Sequence, residues 1–291
     1  MSILANRNTR VVIQGITGRQ ASFHLRHILS TPTNVVAGVT KNATDSSHLG
    51  VALYESVKAA VEATGANASL LFVPAPNVKE AVFEAIDAGI KLIVSIAYGV
   101  PILDVMEIQQ KVKAADAVFL GPNTPGIASS DEAYLGIFDQ NIIKKGRVGI
   151  VSRSSTLTYE AVLETNQAGL GQSTVVGLGD DMIAGASFEK MLALFEKDED
   201  TDIVVLIGAL GGTYEEEAAL CYQNLKIKKP LIVYITGLEN LEDDIGYASD
   251  ILTRGKVTVE DKKQAFRQVG AIVLDNITDL HTALLRLKKG L

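Results

Sequence analysis

The stretch Val11-Val12-Ile13-Gln14-Gly15-Ile16-Thr17-Gly18-Arg19-Gln20 decides the fold class of this chain of 291 residues. An apolar run predicts a β-strand, two glycines predict a tight turn, and a helix-like segment continues to Leu29. A strand that passes through glycines into a helix is the opening of a β-α-β unit. The stretch therefore predicts an α/β protein built on a parallel sheet.

The same alternation continues to the end of the chain in two series, which predict two domains. The first fills residues 1–126 and the second fills residues 147–291, while the polar, irregular residues 127–146 are predicted to be a linker. We expect one doubly wound parallel sheet in each domain. Further strands are predicted at residues 35–39, 69–73, 91–96 and 117–120, and then at 148–151, 174–178, 203–207, 231–235 and 271–274.

Composition indicates a globular protein and excludes several classes. Apolar residues make up 47% of the chain and charged residues 21%, and the net charge of −7 argues against non-specific binding to nucleic acid. The one cysteine, Cys221, can build neither a disulfide framework nor a zinc site. The polar N-terminus and the lack of a membrane-length apolar run predict a soluble, cytoplasmic protein with no membrane partner.

The first glycine turn is predicted to hold a phosphate-bearing ligand, because ligands of doubly wound sheets bind beyond the carboxyl ends of the strands. Glycines let the backbone approach a phosphate, and Arg19 adds positive charge. A dinucleotide fingerprint expects an acidic residue after the second strand, but Thr40-Lys41 stands there. This counts against NAD and suits an additional phosphate. A plain tight turn remains the structural alternative.

Other strand-to-helix corners carry the remaining candidates. Val73-Pro74-Ala75-Pro76 and Ile96-Ala97-Tyr98-Gly99 are either simple turns or the walls for a long, partly apolar ligand. In the second domain, Ser152-Arg153-Ser154-Ser155-Thr156 places three serines, a threonine and an arginine before a helix. Such a turn is either an anion site or only a helix N-cap.

Read together, these turns resemble the alpha subunit of succinyl-CoA synthetase over nearly the whole chain. Beside the turns already quoted, the resemblance rests on three further motifs: residues 84–91 (Glu-Ala-Ile-Asp-Ala-Gly-Ile-Lys), Gly121-Pro122-Asn123, and residues 156–160 (Thr-Leu-Thr-Tyr-Glu). It implies an N-terminal CoA-binding Rossmann-like domain and a C-terminal flavodoxin-like ligase domain. The CoA-binding residues it implies are Gly15, Thr17, Gly18, Arg19, Gln20, Lys41, Val73, Pro74, Ala75, Ile96, Tyr98 and Asn123.

The resemblance also implies partners. An ATP-grasp beta subunit would hold ATP or GTP with Mg, in an αβ or α2β2 heteromer, and a small carboxylic acid would be the second substrate. No metal is expected on this chain. Phosphate would lie at the helix that follows Ser152, Arg153, Ser154, Ser155 and Thr156.

Two departures from the family pattern bear on the chemistry. The family carries a phosphohistidine in a Gly-His-Ala-Gly stretch, but the matching stretch here is Gly246-Tyr247-Ala248-Ser249. The family places a glutamate beside that histidine, where this chain has Ala209. Imidazole is a good nucleophile near neutral pH, whereas tyrosine titrates near pH ~10 and its phosphate ester is a poor donor.

Three hypotheses follow from these residues. The chain is an acid–CoA ligase alpha subunit that works without a phosphohistidine of its own, or it is a non-catalytic paralogue with a structural or regulatory role that still binds CoA. The third is an NAD-dependent oxidoreductase, which rests on the first turn alone.

Overall fold

The computed structural model describes residues 2–41, 45–237 and 258–289. By their contacts, these residues divide into two compact units. The first unit contains residues 4–140 together with residues 178–186, and the second contains the described parts of residues 1–3, 141–177 and 187–291.

The first unit is built on a seven-stranded sheet in which only the short strand β3 runs antiparallel to its neighbour. The strand order is β3-β4-β2-β1-β5-β6-β7. The strands are β1 (Arg10–Gln14), β2 (Asn34–Val39), β3 (Ser47–His48), β4 (Val51–Tyr54), β5 (Ala68–Leu71), β6 (Leu92–Ser95) and β7 (Val118–Leu120). The helices between them are α1 (Arg19–Ile28), α2 (Val57–Thr64), α3 (Val78–Asp87) and α4 (Ile102–Ala114), with a short 3-10 turn at Ala75–Asn77.

The core of the first unit lies against the central strands. All residues of β5 and β6 are buried, and helix residues such as Val82 and Ile108 pack in the same cluster. Burying one such aliphatic side chain contributes about 1.5–3 kcal/mol. Burial on both faces explains why these strands appear in the sequence as continuous apolar runs rather than as alternating ones.

The stretch predicted as a linker contains ordered structure. Strands β8 (Gly126–Ser129) and β9 (Ala133–Gly136) form an antiparallel hairpin that is buried throughout. The two strands lie so close that a Cβ on Gly126 would be 2.0 Å from the Leu135 carbonyl oxygen. Because the strands are short and rich in glycine, alanine and serine, their sequence is typical of a loop.

The second unit contains five parallel strands in the order β14-β13-β12-β10-β11. They are β10 (Lys145–Ser152), β11 (Gln172–Gly177), β12 (Ile203–Ala209), β13 (Leu231–Thr236) and β14 (Ile272–Leu274). The helices are α5 (Ser155–Gln167), α6 (Phe188–Lys197), α7 (Tyr214–Asn224), α8 (Val259–Gln268) and α9 (Asp279–Lys288). Two mostly parallel sheets with alternating helices confirm the predicted α/β fold class.

Residues 178–186 follow β11 along the chain but belong to the first unit, which differs from the predicted domain limits of 1–126 and 147–291. The Gly121 amide donates to the Leu178 carbonyl at 3.0 Å, and the Gly185 amide donates to the Gly121 carbonyl at 2.7 Å. A Cβ on Gly179 would lie 2.1 Å from the Pro122 carbonyl oxygen, so this close approach requires glycine. No periodic signal in the sequence marks such a return.

Among the residues that the structure describes, no helix combines the length and the apolar character that a membrane crossing requires.

Candidate functional site

The strand order of the first unit brings most of the predicted ligand residues onto one edge of its sheet. The segments after β2, β1, β5, β6 and β7 follow one another there, and we call them the turn row: Thr40-Lys41, Gly15–Gly18, Val73–Ala75, Ile96–Tyr98 and Gly121–Asn123. Because carboxyl ends of parallel strands share an edge, residues spread over more than 100 positions of sequence become neighbours.

The first turn presents backbone donors. Gly15 has φ +75°, and a Cβ there would lie 2.6 Å from the Phe72 carbonyl oxygen, so the turn requires glycine. Gly18 is the N-cap of α1 and supplies no side-chain cap. The first amides of a helix have no partner within the helix, so those of Arg19 and Gln20 are available to an anion.

Charged and polar side chains stand around those amides. Thr17, Arg19, Gln20 and Lys41 are exposed, and the Thr17 hydroxyl lies 3.2 Å from the Thr40 hydroxyl. This contact joins the end of β2, next to Lys41, to the glycine turn. The arrangement provides cations and N–H donors, as a phosphate requires.

A hydrogen-bonded chain that was not predicted supports the start of α1. The Ser22 hydroxyl donates to the Gly18 carbonyl at 2.9 Å and lies 2.8 Å from His48 Nε2. A hydroxyl has one proton, so with that proton on Gly18 the donor in the second contact is Nε2–H of His48. His48, on β3, therefore fixes the helix N-terminus that carries the donors.

The middle of the turn row is less polar. Val73, Ala75 and Ile96 are half-buried, Pro74 is exposed, and Tyr98 has 78% of its surface exposed. These side chains form an apolar rim beside the first glycine turn.

The last corner of the turn row joins a second segment of the chain. Asn123 has φ +58°, and its amide donates to the Ala97 carbonyl at 2.8 Å. Its side-chain Nδ2 donates to Asp181 Oδ1 at 3.1 Å, and the Asp180 amide donates to its carbonyl at 3.2 Å. Burial raises the pKa of the Asp181 carboxyl, and the hydrogen bond from Asn123 offsets part of that increase.

In the second unit, the predicted anion turn forms the N-terminus of α5. Ser154 is the N-cap, and its hydroxyl accepts from the Leu157 amide at 3.3 Å. The Ser152 hydroxyl donates to the Ser154 carbonyl at 2.9 Å, which makes it part of the turn itself. Ser155 is half-buried and Thr156 is exposed, and their amides belong to the open first turn of the helix.

Arg153, predicted as a phosphate ligand, is 4% exposed and lies in an internal network. Its Nη1 donates to the Gly211 carbonyl at 3.4 Å and lies 3.9 Å from Glu215 Oε1, while the guanidinium stacks over Tyr214 at 4.8 Å. Fully buried Glu215 is paired with fully buried Lys262, whose Nζ lies 2.7 Å from Oε2.

The same network includes Ala209, the residue that the resemblance aligns with a glutamate. Ala209 ends β12 at a half-buried position, and its amide donates to Glu215 Oε1 at 3.0 Å. Tyr247 lies outside the described residues. Among the described residues, no group of three or more histidine, cysteine, aspartate or glutamate side chains comes together as a metal site.

Comparison with known proteins decides the family. A model described as the CoA binding domain matches residues 6–99, and one described as CoA-ligase matches residues 151–272. Subunit alpha of succinate–CoA ligase (ADP-forming) from Aquifex aeolicus is 43% identical over 279 residues, covering 95% of this chain and 91% of its own length. The chain belongs to the succinate–CoA ligase alpha subunit family.

Other members of the family extend the comparison. Subunit alpha 2 from Archaeoglobus fulgidus is 46% identical over 274 residues, covering 94% of this chain and 95% of its own. A subunit of an ADP-forming sulfoacetate-CoA ligase from Acholeplasma is 40% identical over 279 residues, with 94% of each chain covered. The membership confirms the resemblance inferred from the glycine turns and supports CoA as the ligand of the first unit.

Solved structures show the same fold. ATP citrate lyase from Methanothrix soehngenii, in complex with citrate and coenzyme A, matches with a TM-score of 0.87 at 22% identity, covering 99% of this chain and 52% of its own. An acetyl-coenzyme A synthetase from Ca. Korarchaeum cryptofilum matches with a TM-score of 0.78 at 19% identity, covering 96% and 60%. This chain therefore spans only about half of these larger proteins.

Proposed function

We propose that this chain is the alpha subunit of an acid–CoA ligase that binds CoA in its first unit and pairs with an ATP-grasp beta subunit. The observation that carries the proposal is the 40–46% identity to relatives named as alpha subunits of succinate–CoA ligase over at least 94% of the chain. The nucleotide, ATP or GTP, with its Mg would be held on the beta subunit.

The residues on the turn row suit the parts of CoA. Amides at the start of α1, with Arg19 and Lys41, would hold its phosphates. Val73, Pro74, Ala75, Ile96 and Tyr98 would contact its less polar arm, and Asn123 would lie near its end. The open turn of α5, with Ser155 and Thr156, would hold phosphate during the acid-activation half of the reaction.

The acid is expected to be small and to carry two negative charges. Relatives at comparable identity are named for succinate and for sulfoacetate, which share this charge. The direct test is turnover by the chain co-expressed with a beta-type subunit, assayed for CoA consumption that requires nucleotide and either acid. Absence of turnover together with absence of CoA binding would overturn the proposal.

A second candidate is a non-catalytic paralogue, and one observation favours it. Tyr247 stands where the family has its phosphohistidine, and Ala209 removes the accompanying carboxylate. Such a protein would still bind CoA and the beta subunit but would catalyse no ligation. CoA binding without turnover in the co-expressed complex would favour this candidate.

The step in which the family phosphorylates a histidine gives a more specific prediction. With labelled ATP and the beta subunit, the wild-type chain should carry no acid-labile phosphate, because a tyrosyl ester is not acid-labile and Ala209 offers no support to a charged ring. The Tyr247→His/Ala209→Glu double variant should gain such a label, because imidazole forms a phosphoramidate and a carboxylate orients it. Tyr247→Phe is the matched control. A label on the wild-type chain that persists in Tyr247→Phe would contradict the prediction.

A further inference from the structure

The turn row ends at a carboxyl group that comes from a distant part of the sequence. Asp181 lies 58 positions after Asn123, yet the Asn123 amide nitrogen is 3.1 Å from its Oδ1. The contact is built into the fold: Gly121 bonds to Leu178 at 3.0 Å and Gly185 bonds back to Gly121 at 2.7 Å. Asp181 is thus held at the β7 corner of the first unit by backbone hydrogen bonds on both sides of it.

The position of Asp181 along the turn row indicates which part of an extended ligand would contact it. The phosphate-binding turn follows β1, and the β7 corner lies three strands away in the order β1-β5-β6-β7. Neighbouring strands are about 4.8 Å apart, so the corner is about 14 Å from the first turn. A CoA molecule with its phosphates at residues 15–18 and its arm along Val73 and Ile96 would bring its thiol toward Asn123 and Asp181.

The environment of Asp181 suits a proton acceptor. The side chain is half-buried, whereas the neighbouring Asp180 is exposed. Burial raises the pKa of the Asp181 carboxyl, which makes its ionised form a stronger base than a carboxylate in water. The amide donor from Asn123 orients Oδ1 of the carboxylate.

We propose that the Asp181 carboxylate accepts the proton of the CoA thiol when the thiol attacks the activated acid. The sulfur forms a bond to the carbonyl carbon of an acyl phosphate, and the S–H proton moves to a carboxylate oxygen of Asp181. The bond from that carbon to the phosphate oxygen breaks, and inorganic phosphate leaves with the electron pair. The inference rests on the proposed ligase function and adds a base to it.

Binding provides a test that does not need turnover. CoA and desulfo-CoA are titrated calorimetrically into the full chain with its co-expressed beta subunit. In the wild type the thiol donates to Asp181, so CoA should bind about three- to tenfold more tightly than desulfo-CoA. Asp181→Ala should lose this preference while still binding desulfo-CoA, which shows that it is folded. Asp180→Ala, which changes the exposed neighbour, should keep the preference for CoA over desulfo-CoA.

The outcomes separate the two proposals. A preference for CoA that is unchanged in Asp181→Ala would overturn the role of Asp181 and leave the proposed function standing. No binding of either ligand to the wild-type complex would overturn the proposed function, and with it the role of Asp181.

Kinetics of the complex supply the second readout. Asp181→Asn keeps an oxygen that accepts from Asn123, so the corner should stay intact, but an amide cannot take up the thiol proton. We expect kcat to fall about 10²- to 10⁴-fold with little change in the KM for CoA. Asp180→Asn should behave as the wild type. A change in the KM alone would indicate a merely structural role and would contradict the proposal.

Discussion

At the scale of single residues, the N-terminus of α1 has a glycine as its N-cap and is supported by a histidine on strand β3. Glycine at the N-cap permits close approach to a ligand but provides no side-chain acceptor for the first turn. The Ser22 hydroxyl and His48 Nε2 take over the task of fixing the Gly18 carbonyl. The donors of the turn are therefore positioned by a residue 30 positions further along the chain.

Removing this support should weaken CoA binding. His48→Ala loses one hydrogen bond worth about 1 kcal/mol, so we expect the Kd for CoA to rise about fivefold. Ser22→Ala loses two such bonds and should raise the Kd for CoA at least as much. His48→Gln should retain most of the affinity, because its amide nitrogen reaches about as far as Nε2. Titration calorimetry measures the effect. His27→Ala is the control, because His27 is an exposed histidine on α1, the helix that contains Ser22. Equal losses in His48→Gln and His48→Ala would contradict this role.

The predictability of single site residues differed between the two units. The turn conformation of Gly15 and the helix N-cap at Ser154 could be predicted from sequence, because both depend on local backbone geometry. The burial of Arg153 could not be predicted from sequence, because its partners Gly211 and Glu215 lie more than 50 positions away. The contact between Asp181 and Asn123 could not be predicted, since only the return of residues 178–186 to the first unit brings the two side chains together.

At the scale of elements, a buried ion pair joins α7 to α8. Lys262 Nζ lies 2.7 Å from Glu215 Oε2, 2.9 Å from Glu216 Oε2 and 2.8 Å from the Gly212 carbonyl oxygen. Glu215 also accepts from the Ala209 amide at 3.0 Å. The pair thus fixes the turn after β12. A buried pair of this kind adds little net stability, but breaking it leaves an uncompensated charge.

Lys262→Met should therefore lower the free energy of unfolding more than the removal of both the Lys262 and the Glu215 charge does. We expect the single variant to lower the free energy of unfolding by about 3–5 kcal/mol, because Glu215 loses the nearer of its two buried cations and keeps only Arg153, whose Nη1 lies 3.9 Å from Oε1. The Glu215→Leu/Lys262→Met double variant should recover part of that loss, since it removes the buried carboxylate but also takes this carboxylate away from Arg153. Urea denaturation followed by circular dichroism measures both. A double variant less stable than Lys262→Met would show that the pair contributes net stability and would refute this expectation.

Elements with strong periodic signals were predictable, and those defined by distant contacts were not. The continuous apolar runs of β5, β6 and β12 identify buried parallel strands directly. The hairpin β8–β9 was predicted as part of a linker, because small residues such as Gly126 and Ser129 carry no strand signal. Its burial depends on tertiary bonds such as that from the Ser129 hydroxyl to the Ala5 carbonyl at 2.8 Å.

At the scale of the whole molecule, Asp181 should link stability to pH. Its pKa is raised in the folded state above the unfolded value, so between those two values the folded protein binds more protons than the unfolded chain. The contribution of Asp181 to stability should therefore fall as pH rises through this window. Asp181→Asn should remove that decline and be slightly more stable than the wild type at neutral pH. Thermal unfolding of both proteins across acidic pH tests the difference, with Asp180→Asn as control. A less stable Asp181→Asn protein at neutral pH would contradict it.

The return of residues 178–186 also governs the order in which the protein can be assembled on the ribosome. A chain synthesised only to residue 140 lacks residues 178–186, so the Gly121 amide and carbonyl at the end of β7 have no hydrogen bonds to Leu178 and Gly185. Those hydrogen bonds form only after β10, α5 and β11 have been synthesised. The first unit can therefore be completed only after part of the second has been synthesised. Neither unit is one continuous segment of sequence, so neither can be moved to another protein as a single uninterrupted insert.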